Sequence, residues 1–292
     1  MRVVTLLPAA TEIVMALGGA DALVGVSHEC DFPPAVARLP RLTASPIDPA
    51  ASSGAIDSEV RRLRAEGLPV IAVDAAALAR LAPDLLITQG LCEVCAVVDG
   101  QIHRLASVLH PAPAVLSLSA RTLPGIWDDI RSVGRALDLA DDADELVAGL
   151  RTRLRRLGTN TPSPAPRVVC VEWLDPPYLA GHWVPELVAA AGGLDVGASA
   201  GDHSAVRRWS EVLELRADLI IVTLCGFDVR RAREELAGLD NSDAGRLFSS
   251  ARLWILDGNA YTSRPGPRVV DGAERLQSAM RGKEMPGLER WT

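Results

Sequence analysis

The chain has 292 residues, a length that suggests about two domains at roughly 150 residues per domain. Hydrophobic residues make up 48% and charged residues 23%, which excludes a disordered or low-complexity protein. The net charge of −7 argues against general nucleic-acid binding. No uninterrupted apolar run reaches the ~20 residues that a membrane helix needs, so no membrane span is predicted.

The first twenty residues are apolar but do not fit a secretory signal peptide. Pro8 and Glu12 interrupt the apolar run, and only Arg2 precedes it with a positive charge. We interpret this segment as a strand and a helix of the fold, which predicts a cytoplasmic protein. Five cysteines in a chain of this length do not indicate a disulfide framework, so thiols, metal ligands or redox groups are expected.

Strands and helices alternate through the first 120 residues. Strands are predicted at residues 3–7, 24–27, 70–73, 84–88 and 114–118, and helices at 8–17 and 75–81. Because the strands are almost continuously apolar, this βαβ alternation predicts a parallel sheet that is covered on both faces.

The pattern changes in the middle of the chain. Residues 123–157 carry no strand signal, and their apolar side chains recur at helical spacing. Acidic residues at 141–145 favour the start of a second helix of ~18 residues, which is ~27 Å long and can join two lobes. Prolines at 162, 164 and 166 then indicate a linker.

The βα alternation resumes after the linker. Strands are predicted at 167–173, 219–224 and 253–256, and helices at 185–191, 230–236 and 269–280. The expected architecture is therefore two Rossmann-like α/β lobes bridged by a single long helix, with a ligand cleft between the lobes. The predicted segments are an N-terminal lobe at 1–120, a helical linker at 121–160 and a C-terminal lobe at 161–292.

Chemically distinctive side chains follow the predicted strands. In open parallel sheets, ligands bind beyond the carboxyl ends of the strands, so loops at these points are expected to line the cleft. Aromatic rings there suit stacking on a flat macrocycle, although packing between the lobes is an equally good interpretation. The predicted ligand-binding residues are His28, Glu29, Trp173, His182, Trp183, Phe227, Tyr261 and Arg264.

Four of the five cysteines also lie in these loops. Cys92 and Cys95 form a CxxC pair that can chelate a metal or act as a redox pair. Cys30 and Cys225 follow other strands, so the four thiolates are predicted to hold Zn²⁺ or an iron–sulfur cluster. The alternative is that these cysteines only pack the loops. Cys170 lies inside an apolar strand and is interpreted as a core residue.

Several short blocks resemble a known family over nearly the whole chain. The best-matching pieces are residues 6–12 (LLPAATE), 25–27 (GVS) and 83–87 (PDLLI), together with the central helical stretch. They resemble the cobalamin-type class III periplasmic substrate-binding proteins of ABC transporters. A subgroup of these proteins shares the blocks at 28–30 (HEC), 92–95 (CEVC) and 257–261 (DGNAY). The resemblance implies two lobes, a corrinoid or related tetrapyrrole as the small-molecule ligand, and an ABC transporter permease as a partner.

Two functions therefore compete. The first is a non-catalytic binding protein for cobalamin or a related tetrapyrrole, with His28 as a possible axial ligand of the cobalt. The second is a metal or cluster protein, which in a chelatase-like form would use His28, Glu29 and His182 as ligands or bases. The first function is favoured because of the two-lobe pattern, the aromatic residues of the predicted cleft loops and the family resemblance. No Ser–His–Asp arrangement, Walker phosphate loop or dinucleotide GxGxxG motif is visible.

Overall fold

The computed structural model describes residues 1–90, 99–158 and 164–291. Contacts within the chain divide it into two compact units. Unit 1 comprises residues 1–51, 58–120 and 124–148, and unit 2 comprises residues 52–57, 121–123 and 149–292. These units are interleaved along the sequence, whereas the predicted segments 1–120, 121–160 and 161–292 follow one another. The interleaving arises because the helices at Ser53–Ala65 and Ala140–Leu157 are each divided between the units, and because residues 121–123 belong to unit 2.

The first half of the chain, as far as the end of the long helix, contains these strands and helices. They are β1 Val3–Thr5, α1 Pro8–Ala16, β2 Leu23–Val26, β3 Thr43–Ala44, α2 Ser53–Ala65, β4 Ala72–Val73, α3 Ala75–Leu81, β5 Leu85–Gln89, α4 Asp99–Val108, β6 Ala114–Leu118, α5 Leu123–Ala136 and α6 Ala140–Leu157. Helix α6 has the predicted 18 residues, and it passes from unit 1 to unit 2 at residue 149. Helix α2 is not predicted from the sequence. Its residues up to 57 belong to unit 2 and the rest belong to unit 1.

Unit 1 is built on a parallel sheet in the order β2-β1-β5-β6. The register places Val3 opposite Leu85 and Leu85 opposite Ala114. Its strands are apolar because both faces are covered, and Val4 and Leu86 are completely buried. The strand predicted at 70–73 does not join this sheet. Only Ala72–Val73 pairs, antiparallel to β3, so the apolar run before it packs into the core without extending the ladder.

The second half of the chain contains these strands and helices. They are β7 Arg167–Leu174, β8 Pro177–Leu179, α7 Val184–Ala191, β9 Leu194–Asp195, β10 Ala205–Val206, α8 Trp209–Glu214, β11 Leu219–Val222, α9 Val229–Ala237, α10 Ser242–Ser250, β12 Arg252–Leu256, α11 Gly258–Tyr261, α12 Val269–Met280 and β13 Leu288–Arg290. The described residues hold no helix that is long and apolar enough to cross a membrane.

Unit 2 has a parallel centre with antiparallel edges, in the order β10-β8-β7-β11-β12-β13, and β9 also pairs with β7. Strands β7, β11 and β12 run parallel and are packed on both faces. Cys170 lies in the centre of β7 opposite Ile221, and burial raises the pKa of its thiol well above the usual value. Cys170 is therefore a core residue, as predicted.

The two larger sheets and the two compact units confirm the predicted two-lobed α/β fold.

Candidate functional site

The turn that follows β2 is tightly held within unit 1. The backbone N–H of Cys30 donates to the carbonyl of Ser27 at 3.2 Å. The guanidinium of Arg41 donates to the carbonyls of Ser27 and Cys30 at 3.0 and 2.5 Å. These bonds fix the backbone on both sides of His28, while the neighbouring Glu29 is exposed. The turn therefore presents His28 on a rigid support.

The hydrogen bonds of His28 fix which ring nitrogen is free. Thr43 Oγ1 accepts from the backbone N–H of His28 at 2.9 Å and lies 2.6 Å from its Nδ1. The same hydroxyl donates to Ser27 Oγ at 3.0 Å, so Nδ1 carries the proton that is shared with Thr43. Nε2 makes no hydrogen bond within the part of the chain that the structure describes, and its lone pair is available.

The electrostatic surroundings keep this imidazole neutral. Partial burial, followed by the positive charge of Arg41, lowers the pKa of His28. A neutral ring with one nitrogen bonded to a hydroxyl and the other free is the form in which histidine binds a metal. Within unit 1, His28 is therefore the side chain best prepared to ligate the metal of a cofactor or ligand.

The four-cysteine metal site that the sequence predicts is not seen in the described residues. Cys92 and Cys95 lie outside them. Cys30 is 1% exposed, and its Sγ lies 3.0 Å from Thr11 Oγ1, so it packs inside unit 1. Cys225 belongs to unit 2 and is half-buried. Across residues 1–90, 99–158 and 164–291, no group of three or more His, Cys, Asp or Glu side chains could hold a metal ion.

A buried carboxylate orders the loop that follows β6 in unit 1. Asp129, on α5, is 9% exposed and accepts from the backbone N–H groups of Ser119 and Ala120 at 3.1 and 3.0 Å. Burial raises its pKa to about 6, although the two N–H bonds act in the opposite direction. The loop is thus held by a group that titrates in a mildly acidic range.

Stability is expected to depend on pH through Asp129. Because its folded pKa lies above the unfolded value near 4, the native state binds the proton more tightly, and the free energy of unfolding falls as pH rises from about 4 to about 6. In the wild type this carboxyl should lower the free energy of unfolding by an amount on the order of 2 kcal/mol across this range. We expect the Asp129→Asn variant to lack this contribution. Urea denaturation of both proteins at pH 4.5 and 7 measures it.

The wild type provides the control for this comparison. Burial also raises the pKa of Asp195 to about 6, and that carboxyl is present in both proteins, so the difference between them isolates Asp129. An Asp129→Asn variant that keeps the full pH dependence of the wild type would show that the buried carboxyl does not titrate as described.

Two predicted aromatic residues meet in unit 2. The rings of Trp173 and Phe227 pack edge to face with centroids 5.4 Å apart. Trp173 Nε1 donates to the carbonyl of Ser53 at 3.1 Å, and the guanidinium of Arg231 lies 4.0 Å from the centre of the Phe227 ring. Phe227 is therefore buried between an indole and a cation, while Trp173 is half-buried.

The loop before α7 carries two more predicted residues. Trp183 is 5% exposed, and its Nε1 donates to the carbonyl of Thr262 at 2.9 Å. Its neighbour His182 has a left-handed backbone with φ of 53°. Burial, followed by the nearby His203 and Arg121, lowers the pKa of His182, so its ring is neutral near pH 7. The indole thus joins this loop to the loop after β12.

The short helix α11 and the loop that follows it hold the last two predicted residues. Arg264 is 5% exposed and donates from Nη2 to Asn259 Oδ1 at 2.7 Å. Tyr261 is covered by the guanidinium of Arg275, which lies 3.8 Å from the centre of the ring. Both side chains are engaged within unit 2, so they stabilise the loop.

Other features of the site are not predicted from the sequence. Arg41 and Thr43, which orient His28, lie just before and within the two-residue strand β3 and carry no recognisable motif. His203, which packs against His182, lies in a loop without a pattern. A cavity of about 710 Å³ in unit 2 is lined by polar residues that include Asp175, Arg207 and Glu235. This cavity lies beside the start of α2. The apolar residues at positions 56, 60 and 63 have helical spacing, and this signal in the sequence could have predicted helix α2.

Comparison with known proteins places these features in a family. The family model for periplasmic binding proteins matches residues 3–241. The vitamin B12-binding protein of Vibrio cholerae serotype O1 is 23% identical over 282 residues, which cover 94% of this chain and 87% of that protein.

Solved structures share the fold. A periplasmic heme-binding protein from Pseudomonas aeruginosa superimposes with a TM-score of 0.73 at 20% identity, covering 100% of this chain and 98% of that one. The periplasmic vitamin B12-binding protein of Vibrio cholerae gives a TM-score of 0.59 at 21% identity and covers 96% of each chain.

Two α/β units, each built on a sheet with parallel strands at its centre, define a two-lobed α/β protein. The chain belongs to the periplasmic binding protein family. It is a substrate-binding protein of the ABC-transporter type.

The predicted cytoplasmic location is wrong. Family membership points to the periplasm, because the proteins that match are periplasmic binding proteins. The prediction rested on the polar interruptions at Pro8 and Glu12. These residues lie in α1, inside the fold, and therefore carry no information about export.

Proposed function

We propose that the chain binds one tetrapyrrole, a corrinoid or haem, and delivers it to an ABC transporter permease. The relatives support this ligand class, since several proteins of similar sequence or fold are named for vitamin B12 or heme. Both ligands are macrocycles that carry a central metal with at least one exchangeable axial position. A single axial nitrogen donor therefore suits either of them.

The observation that carries the proposal is the arrangement around His28. Its Nδ1–H is engaged by Thr43, its Nε2 is free, and the ring is held neutral on a turn that Arg41 supports. This is the arrangement by which proteins orient an imidazole towards a metal. In the proposed complex, Nε2 of His28 is an axial ligand of the iron or cobalt.

A spectroscopic titration tests this function. The wild-type chain is titrated separately with haem and with aquacobalamin, and the visible spectrum reports both stoichiometry and axial ligation. We expect one ligand per chain for at least one of the two compounds, with the band shift of imidazole coordination. His28→Ala should lose that shift and bind at least tenfold more weakly, because the axial bond is gone.

Two further variants sharpen the test. Thr43→Val removes the hydroxyl that orients the ring, and a loss of about 10- to 100-fold in affinity is expected from such a supporting group. His103→Ala removes an exposed histidine on α4 and should behave like the wild type. Absence of binding to either tetrapyrrole at micromolar concentration would overturn the function, whereas an unchanged spectrum in His28→Ala would overturn only the assignment of the ligand.

A further inference from the structure

A pair of histidines lies in unit 2, in two loops that are held together by hydrogen bonds between their backbones. The N–H of His182 donates to the carbonyl of Asp202 at 2.7 Å, and the N–H of Gly201 donates to the carbonyl of His182 at 2.8 Å. Gly181 completes the junction by donating to Ser204 Oγ at 3.1 Å. Both ends of each loop are thereby fixed, so His182 and His203 occupy defined positions.

The rings of His182 and His203 are in direct contact. Their centroids lie 5.3 Å apart, and the ring planes are nearly perpendicular at 85°. Neither ring makes a side-chain hydrogen bond to any residue in the described ranges. Nε2 of His182 is buried without a partner, although buried polar atoms are almost always paired.

The backbone of His182 adds a second unusual feature. Its φ of 53° is left-handed, a conformation that non-glycine residues adopt rarely and at a cost in free energy. The interlocked loops impose this conformation, which places the imidazole against His203. A strained residue with an unpaired buried nitrogen is characteristic of a position that is retained for binding.

We propose that His182 and His203 together bind a divalent transition-metal ion of the kind that prefers imidazole, such as Ni²⁺, Cu²⁺ or Zn²⁺. The spacing fits this assignment. With metal–nitrogen distances of about 2.0–2.1 Å and a tetrahedral angle, two bound imidazole rings have centroids roughly 5 Å apart. His203 is exposed, so one of the two proposed ligands faces solvent.

The proposed site is open on one side. Because it has two protein ligands, the remaining coordination positions belong to water or to donor groups of a small molecule. Both histidines belong to unit 2 and neither is His28, so the pair would give unit 2 a metal-binding capacity of its own.

Calorimetric titration with Ni²⁺, in the absence of any tetrapyrrole, tests the proposal. We expect one Ni²⁺ per wild-type chain and an affinity at least tenfold weaker in His203→Ala. For the other position, His182→Asn is the suitable variant, because asparagine tolerates the left-handed backbone. It should show the same loss, and the double variant should lose the site entirely.

His103→Ala is the matched control, since it removes a histidine from α4 and leaves the pair intact; its Ni²⁺ affinity should equal that of the wild type. Melting temperatures of the unloaded proteins verify that every variant is folded. Unchanged Ni²⁺ affinity in the folded double variant, or no binding by the wild type, would overturn the proposal. Either result leaves the tetrapyrrole function standing, because that function is measured separately on His28.

Discussion

Replacing Gly258 by alanine is expected to destabilise the protein by about 3 kcal/mol, at the upper end of the range for overpacking. A Cβ at this position would collide with the carbonyl oxygen of Leu224 and would lie 2.7 Å from the carbonyl carbons of Leu224 and Thr223. All three obstacles are backbone atoms just beyond the central strand β11, so none can move away as a flexible side chain would. Chemical denaturation measures the loss directly.

Gly245 provides the matched control for Gly258→Ala. It lies in α10, is exposed, and has nothing within 4 Å of an added Cβ. Gly245→Ala should therefore stabilise the protein by roughly 0.5–1 kcal/mol, through the lower flexibility of the unfolded chain and better helix propensity. If the two variants had equal stability, the close approach at Gly258 would not exist in solution.

Trp183→Ala is expected to cost about 3–5 kcal/mol, the usual range for removing a large buried aromatic side chain. The indole is 5% exposed, and its N–H bond to the Thr262 carbonyl connects two loops. Trp183→Phe separates these contributions, because it keeps most of the apolar volume and removes the hydrogen bond. We expect it to cost about 1–2 kcal/mol.

The two variants of Trp183 also show whether the indole stabilises the loops or contacts the ligand. If Trp183 only joins the loops, Trp183→Phe should bind the tetrapyrrole with the affinity of the wild type. A large loss of affinity with little loss of stability, measured by titration and denaturation on the same samples, would instead assign the indole to direct contact with the ligand.

Much of the fold follows from sequence periodicity. Strand β6 and helices α3 and α12 begin and end at the predicted residues, because their apolar spacing and terminal residues act locally. The strand predicted at 70–73 fails because an apolar run specifies burial, not the partner with which it pairs. The edge strands β8 and β10 are too short for their alternation to be recognised.

The candidate site is predictable only in outline. The carboxyl ends of parallel strands indicate which loops carry the distinctive side chains, because sheet topology determines where those loops emerge. Hydrogen bonds decide what each side chain does there. Trp183 and Tyr261 support loops, whereas His28 keeps a free nitrogen, and that difference depends on Thr262, Arg275 and Thr43, which are distant in sequence.

The most direct test of the account is a crystal structure of the chain grown with saturating haem or corrinoid. We expect one tetrapyrrole per chain, with its metal about 2.0–2.1 Å from Nε2 of His28 and with Nδ1 of that ring still bonded to Thr43. Electron density that places the macrocycle in the 710 Å³ cavity beside Asp175 and Arg207, with His28 free, would contradict it.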